Sequence, residues 1–592
     1  MSRIAILLND RCHPKECQWE CQAYCPIVRM GQECIVESPI NGKPIISETL
    51  CIGCGICVHK CPFDAIKILN TPQAEESEIV HRYGYNGFRL YRLPFPDPKG
   101  ITGILGPNGT GKSTALRVLA GQEVPNLGHY DTPATWEAVV EHYRGTAFAA
   151  HFQKIARGQL RSVVKPQYVD RLADLPGTVL EYVRAGGGDA EAALKAVQID
   201  HKSGRLLPEL SGGELQMVAI ARALATEADL YLFDEPSSYL DIVHRLEIAR
   251  VLRRLGQRKS VVVVEHDLAL LDYLADQAHL VYGEEAAFGV ISHPLAMRSA
   301  VNTYLTGYLR DENVRFRTEP VRFVAHPPKP PTQQNVAVRF GALTKHFEAF
   351  DLDVAPGVLS KGETIGIVGP NATGKTTFVR MLAGVEPPTS GTPPHGVTVS
   401  YKPQYLKASQ RASLRERIAG LQGDPGFDAK LLERELVPGL HLDAVLDVPL
   451  PDLSGGELQR TAVALAMARP ATLYLLDEPS AYLDSDERMS MARLVRRQVE
   501  RSGATALVVD HDVYFLDLAC DGLMVFRSTE DGRKGEGAGP FPMREGMNRL
   551  LKDVAITFRR DAETLRPRIN QEGSVLDREQ RAQGEYYYEP AG

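Results

Sequence analysis

No apolar run in this 592-residue chain approaches the roughly 18 residues that would suggest a membrane span; the longest are short segments such as Val261 to Val264. The opening residues, MSRIAILLNDRCHPKEC, have only a brief apolar stretch before charge and cysteine arrive, which does not read as a secretory signal. Both points lead us to expect a cytoplasmic protein that touches no membrane. Positive charge is not in excess either. Lysine and arginine number 67 against 74 acidic residues, a formal net charge of −7, so any surface that binds a polyanion must be local. Cysteine is nearly missing from the body of the chain: nine of the ten precede residue 62 and the other is Cys520, a clustering that favours metal binding over disulfides.

What the chain does have is a long internal repeat. LSGGELQMVAIARALATEADLYLFDEPSSYLD, Leu210 to Asp241, returns 243 residues later as LSGGELQRTAVALAMARPATLYLLDEPSAYLD, Leu453 to Asp484. In each copy a Ser-Gly-Gly turn opens a helical run (Leu215 to Leu224; Leu458 to Ala468), and an apolar strand follows that ends in Asp-Glu. A repeat of this length means paired domains, and the chain length suggests three to four domains in all.

Ahead of each copy lies a phosphate loop. An apolar strand, Ile101 to Leu105, runs into GPNGTGKST, in which Gly106, Asn108, Gly109, Gly111, Lys112, Ser113 and Thr114 are the binding candidates. The second loop, GPNATGKTT, supplies Gly369, Asn371, Gly374, Lys375, Thr376 and Thr377, with Ala372 in the place of Gly109. Backbone N–H groups at such a helix start cradle phosphate, the lysine neutralises it, and the hydroxyl of Ser113 or Thr376 faces Mg²⁺. Gln167 and Gln404 are placed to sense the metal and the attacking water. Asp234 and Asp477 end strands and suit Mg²⁺, Glu235 and Glu478 can polarise the water, and His266 and His511 can reach the γ-phosphate. A lone glutamine or strand-end histidine is more often structural; here their order gives them a function.

Cys51, Cys54, Cys57 and Cys61 follow C-x2-C-x2-C-x3-C-P, and Cys12, Cys17, Cys21 and Cys25 form a looser run, also closed by proline. The tight spacing resembles a bacterial-type ferredoxin with [4Fe-4S] clusters, in which the fourth cysteine of each run serves the other cluster. That resemblance implies one cluster on Cys51, Cys54, Cys57 and Cys25, and a second on Cys12, Cys17, Cys21 and Cys61. A pair of zinc sites is the alternative, though zinc pairs usually use separated C-x2-C knuckles. Cys34 is left over as a buried thiol.

Between the lysine and the glutamine lie 55 residues in the first copy (112 to 167) but 29 in the second (375 to 404). Trp136, Val139, Val140 and Tyr143, then Phe148, Phe152 and Ile155, repeat at helical spacing around Gly145, predicting a helix-loop-helix near 131–160 with His142, Arg144, Lys154 and Arg157 available to a partner or RNA. YLRDENVRF, Tyr308 to Phe316, and the proline-rich His326 to Pro331 read as a stiff connector. Gly546 to Asn570 carries six arginines and lysines among apolar residues, suiting either a docking strip between cassettes or a contact with phosphate.

The order phosphate loop, glutamine, LSGG, Asp-Glu, histidine resembles the ATP-binding-cassette family over both repeats. With the iron-sulfur head, the insertion and the TFRRD and RPRIN connectors, the chain resembles the ABC subfamily E ribosome-recycling factors, the RNase L inhibitor family, from residue 1 to about 570. The resemblance implies an α/β fold of two P-loop nucleotide-binding domains packed head to tail, with an α+β ferredoxin-like domain in front. The expected domains are 1–76 (iron-sulfur), 77–300 (first cassette), 301–334 (hinge and linker), 335–540 (second cassette), 541–571 (basic hinge) and 572–592 (mobile tail). It also implies two composite ATP sites. One joins Lys112, Asp234, Glu235 and His266 to Ser454 and Gly456, the other joins Lys375, Asp477, Glu478 and His511 to Ser211 and Gly213, and Asp241 and Asp484 stand at the seam. The implied activity is ATP hydrolysis, with Mg²⁺ and two [4Fe-4S] clusters, that splits ribosomes with a release or Pelota-type factor and leaves a monomeric protein on the small subunit. Met217 departs from the pattern by standing where the second copy has Arg460, and Leu309 to Asn313 lacks an expected proline.

Membrane-transport energisers share the cassettes but have no ferredoxin head. Chromosome-maintenance ATPases need a long coiled coil between loop and LSGG, whereas this gap runs from 112 to 211 without heptads. An ATP-coupled electron-transfer protein is the alternative function; its mark would be a reversible cluster potential tied to ATP turnover.

Overall fold

The computed structural model of the chain describes residues 3–7, 11–39, 41–47, 50–63, 65–70, 76–84, 87–317, 319–324, 335–404, 411–529 and 532–587. The proline-rich stretch His326 to Pro331 and the end of the chain beyond Tyr587 lie outside the described residues. Two compact units are present. The first comprises Met1–Pro236, Val251–Glu265 and Ala275–Thr318; the second comprises Ser237–Arg250, His266–Leu274 and Glu319–Gly592.

In the first unit five parallel strands form one side of a sheet, in the order Gln277–Glu284, Gly100–Leu105, Ser260–Val264, Leu230–Asp234, Ser162–Lys165, the last at the edge. Apart from the half-buried Val163 and Val164, their valines, leucines and isoleucines are buried, as continuous apolar runs in parallel sheets require. Register sets the chemistry: Asp234 lies opposite Val264, so the acid pair leaves the sheet beside the strand that leads to His266. The second unit repeats the order with Gly522–Ser528, Thr364–Val368, Thr505–Val509, Leu473–Asp477 and Val399–Lys402, and places Asp477 opposite Val509. Phosphate loops and acid pairs thus emerge at the carboxyl ends of strands, where open α/β sheets bind ligands.

The iron-sulfur head packs within the first unit. Its described residues form two small antiparallel pairings, Arg3–Leu7 with Ile66–Asn70 and Ile35–Glu37 with Pro44–Ile46, and three short helices. Ile6 packs with Ala287 and Phe288, and Lys67 pairs with Glu284 at 3.3 Å. The insertion consists of helices Trp136–His142 and Ala149–Ala156. Val139 and Phe152 are buried, while His142, Arg144, Lys154 and Arg157 are exposed.

Two features differ from the sequence expectation. Segments 237–250 and 266–274 of the first cassette belong to the second unit, because their side chains bond there: Asp241 accepts the Asn371 N–H and Asp272 pairs with Arg566. The expected mobile tail from 572 is built as far as Tyr587. Helix Val575–Gln583 is capped by Ser574, and Tyr587, buried, donates its hydroxyl to Asp517 at 2.9 Å. Polar contacts, such as Thr557 to Asp577 at 2.6 Å, hold this segment, so no apolar stripe announces it.

Candidate nucleotide sites and iron-sulfur centres

Each phosphate loop is a tight turn between strand and helix. Gly111 and Gly374 precede the helices Lys112–Leu119 and Lys375–Leu382 at φ 88° and 91°, values that favour glycine. A Cβ on Gly109, at φ 70°, would stand 2.4 Å from Cγ of the exposed Glu285, whose side chain would have to move to admit it. The second loop holds Ala372 in the same left-handed region, φ 61°, at a cost of about 1 kcal/mol. Lys112 Nζ donates to the carbonyls of Gly106 (2.9 Å) and Pro107 (2.6 Å), and Lys375 Nζ to those of Gly369 (2.8 Å) and Pro370 (2.6 Å). Both ammonium groups are therefore held over the loop that would receive phosphate. Thr114 packs beside Tyr83, whose hydroxyl is 3.1 Å from Thr114 Oγ1; Thr377 is half-buried.

The acid pairs are built alike. Ser113 Oγ donates to Asp234 at 2.7 Å, and Thr376 Oγ1 to Asp477 at 3.5 Å, bringing together the groups expected around Mg²⁺. Gln167 donates to Glu235 Oε1, and Gln404 to Glu478 Oε1 at 2.7 Å. Glu235 and Glu478 both adopt left-handed backbone, φ 47° and 49°, strain of the kind that persists at functional sites when the surroundings over-determine it. Burial, then the neighbouring Glu478, pushes the Asp477 carboxyl up to about 6.

Four supporting residues escaped the sequence reading. Lys165 and Lys402, buried, donate to the carbonyls of Asp234 and Asp477 at 3.0 and 2.7 Å, and Gln216 and Gln459 bond the carbonyls of Glu235 and Glu478. The signal was available: KPQ and GELQ recur in both copies.

Ser211 and Ser454 are the N-caps of helices Gly212–Ala225 and Gly455–Met467. Each closes a capping box with the glutamate of LSGGE, Glu214 or Glu457, and presents a long helix start suited to an anion. Gly213 and Gly456 lie in the first turns. Of the residues expected at one ATP site, Lys112, Asp234 and Glu235 lie in the first unit, while His266, Ser454 and Gly456 lie in the second. Of the other set, Lys375, Asp477, Glu478 and His511 share the second unit, while Ser211 and Gly213 lie in the first. His511 Nε2 is 3.9 Å from Glu478 Oε1 and is held neutral by burial and then by the Lys375 charge.

The second unit also holds the seam residues. Asp241 Oδ2 accepts the Asn371 N–H at 2.7 Å, and Asp484 caps helix Ser485–Ser502. Ser485 Oγ donates to the His266 carbonyl at 2.6 Å. Just past each histidine, Asp267 and Asp512 take Arg245 and Arg488 at 3.0 and 2.9 Å, so histidine turn and seam helix are tied in both copies. The basic strip after Gly546 bonds to acids within the second unit. Arg560 grips Asp517 at 2.7 Å through both nitrogens, and Arg566 and Arg568 share Asp272.

In the head, one void is lined by Cys12, Cys17, Cys21 and Cys61, and another by Cys25, Cys51, Cys54 and Cys57. These are the crossed sets that the ferredoxin resemblance implies. Burial, with neighbouring thiols opposing charge, pushes Cys21 up to about 12 and Cys57 up to about 11. A cluster would bind these groups as thiolates, so its uptake would release their protons. Among the described residues no three Cys, His, Asp or Glu side chains converge on one metal ion. Thiols spread around a void fit a cluster in which each thiolate binds its own iron. Cys34 is buried as expected, but it lines the second void as a fifth thiol beside Cys25.

Among the described residues no helix is long and apolar enough to cross a membrane. Comparison with known proteins matches three family profiles: ABC transporter at residues 97–238 and 354–481, a possible Fer4-like domain in RNase L inhibitor at 2–33, and a 4Fe-4S binding domain at 44–67. The chain is 40% identical over 603 residues to translation initiation factor RLI1 of Saccharomyces cerevisiae, covering 99% of this chain and 98% of that protein. It is similar to a chain in a model of ribosome-bound archaeal Pelota and ABCE1, with TM-score 0.91, 48% identity and 99% of both chains covered. It also resembles a chain in the complex of archaeal ribosomal stalk protein aP1 with archaeal ribosome recycling factor aABCE1, with TM-score 0.82, 48% identity, 87% of this chain and 100% of that one.

Proposed function

The chain belongs to the ABC transporter E family, the RNase L inhibitors, and from that membership we propose that it is an ATP hydrolase of the cytoplasm that splits ribosomes into subunits. The observation that carries the chemistry is the pair of matched carboxylates, Glu235 and Glu478, each fixed by a glutamine and by left-handed backbone beside a strand-end aspartate. Lys112 and Lys375 neutralise phosphate, and Asp234 with Ser113, and Asp477 with Thr376, hold Mg²⁺, which supplies charge neutralisation. Each glutamate orients and deprotonates the attacking water, while His266 and His511 bond the γ-phosphate.

Each ATP is read by two cassettes, through the lysine of one and the Ser-Gly-Gly helix start of the other, so ATP prefers the closed pairing. About 5.5 kcal/mol of such preference moves a two-state equilibrium from 1:99 to 99:1. Closure drives the head against the ribosome, hydrolysis resets the clamp, and the protein stays as a monomer on the small subunit. The Pelota of the ribosome-bound similar structure supports a Pelota-type co-worker, with a release factor as the other candidate. The head carries two [4Fe-4S] clusters on the crossed cysteine sets, which stiffen it as a wedge.

The test uses anaerobically purified protein, ribosomes bearing a release or rescue factor, ATP, and separation of subunits on a density gradient. Conversion of whole ribosomes to subunits, abolished by Lys112→Ala or Lys375→Ala, is expected. Whole ribosomes in the presence of an active ATPase with intact clusters would overturn the proposal.

A further inference from the structure

The repeat copies differ at two matched positions that the proposed function leaves unused. Met217 and His244 stand where Arg460 and Glu487 stand 243 residues later. In the second copy these residues form one assembly: Arg460 pairs with Glu487 at 3.1 Å, and Glu487 closes a capping box by accepting the Asp484 N–H at 3.2 Å. In the first copy the acid is a histidine. Its Nδ1 lies 2.9 Å from Asp241 Oδ1, and its backbone N–H donates to the same oxygen at 3.0 Å. Asp241 Oδ2 accepts the Asn371 N–H of the second phosphate loop at 2.7 Å. A line of hydrogen bonds therefore runs from an imidazole, through a buried carboxylate, to the loop that carries Lys375.

Resting on the reading of that loop as an ATP site, we propose that His244 is a positioning residue for the second site, acting through Asp241 so that a proton on the imidazole strengthens ATP binding there. Asp241 is wholly buried and Lys375 feels its charge, so an anionic Asp241 sets negative charge beside the place of the triphosphate. Protonated His244 offsets that charge and keeps Oδ2 on Asn371; neutral imidazole leaves the charge standing. Glu247 on the same helix favours the protonated form and is itself paired with Arg250. Across from Asp241 stand Lys375 and neutral His511, and Arg245 is committed to Asp267. The hydrogen bond to Asp241 raises His244 above its ordinary value although burial opposes it. The matched place holds Glu487 and no imidazole, so the effect belongs to one site.

The experiment measures binding of magnesium with a non-hydrolysable ATP analogue to the full chain, without ribosomes, so its failure leaves the ribosome-splitting reading standing. Lys112→Ala silences the first site and leaves the second to be titrated between about pH 6.5 and about pH 8, the range of a perturbed histidine and above that in which Asp477 takes up a proton. Kd is expected to rise about five-fold across that range, and His244→Gln to flatten it. Lys375→Ala, which leaves only the first site, gives the nucleotide's own titration as baseline. Asp241→Asn, which keeps an acceptor for Asn371 without the charge, is expected to be flat at the tighter level, and it decides the matter if His244→Gln does not fold. An unchanged slope in either folded variant, or the same slope at both sites, would overturn the proposal.

Discussion

Arg566, with no exposed surface, donates to Asp272 at 2.7 Å, and the same nitrogen reaches the Tyr514 hydroxyl at 2.9 Å. Asp272 lies in helix Leu268–Leu274, six residues after His266; Tyr514 lies in helix Val513–Ala519, three after His511. One guanidinium thus grips both helices that follow the histidines. Arg560 on Asp517, also six residues after its histidine, completes a clasp with matched aspartates.

Asp272 keeps Arg568 when Arg566 is removed, so Arg566→Ala deletes a buried charge-assisted bond without orphaning the carboxylate and is expected to lower unfolding stability by about 1.5–3 kcal/mol, read by chemical denaturation. Tyr514→Phe removes one hydrogen bond and should cost about 1 kcal/mol. Similar midpoints for Arg566→Ala and the unaltered protein would mean that the clasp contributes nothing.

The crossed cysteine sets give opposite partners to neighbouring residues. Cys25→Ser should remove the cluster of Cys51, Cys54 and Cys57, and Cys61→Ser that of Cys12, Cys17 and Cys21, each leaving half the iron and sulfide. Cys34→Ser should keep both clusters. Iron and sulfide analysis with EPR of the reduced protein distinguishes crossed from uncrossed sets, because loss of the other cluster's signal in Cys25→Ser contradicts the assignment.

Asp477 takes up a proton in the protein without nucleotide as the pH falls through about 6, because burial raises the carboxyl above its unfolded value. Bound Mg²⁺ needs the carboxylate, so binding at the second site must expel that proton, and affinity should weaken below pH 6 and level off above it. The same raised value means that the ionised carboxylate costs stability, a cost relieved as the pH drops from about 6 toward the unfolded value. Calorimetry in buffers of different ionisation enthalpy should find proton release near pH 5.5 and little near pH 7.5. Equal release at both would sink the assignment.

The chemistry of the cassettes was legible because it sits in short motifs at strand ends, repeated at fixed separation, where chance agreement is negligible. Lys165 and Lys402 were legible only in principle: a lysine that supports a carbonyl from below looks like any strand lysine until the strands are paired. The last segment was misread for a physical reason. Helix Val575–Gln583 is polar, and its hold comes from Asp577, Gln580 and Tyr587 bonding to residues far back in the chain. Sequence periodicity reports buried apolar faces and is silent on such contacts. Met217 stood out as a departure, whereas His244 drew no notice until its bond to Asp241, and that of Asp241 to Asn371, were seen.

The most direct measurement separates ATP binding from hydrolysis. Ribosomes with a bound rescue factor are mixed with the Glu235→Gln, Glu478→Gln double variant and ATP, and subunits are resolved on a density gradient. Closure as the working stroke predicts one round of splitting per protein, with the variant retained on the small subunit, and many rounds for the unaltered protein. If the double variant binds ATP at both sites and leaves ribosomes whole, while the unaltered protein splits them, hydrolysis drives the stroke and the closure mechanism is wrong.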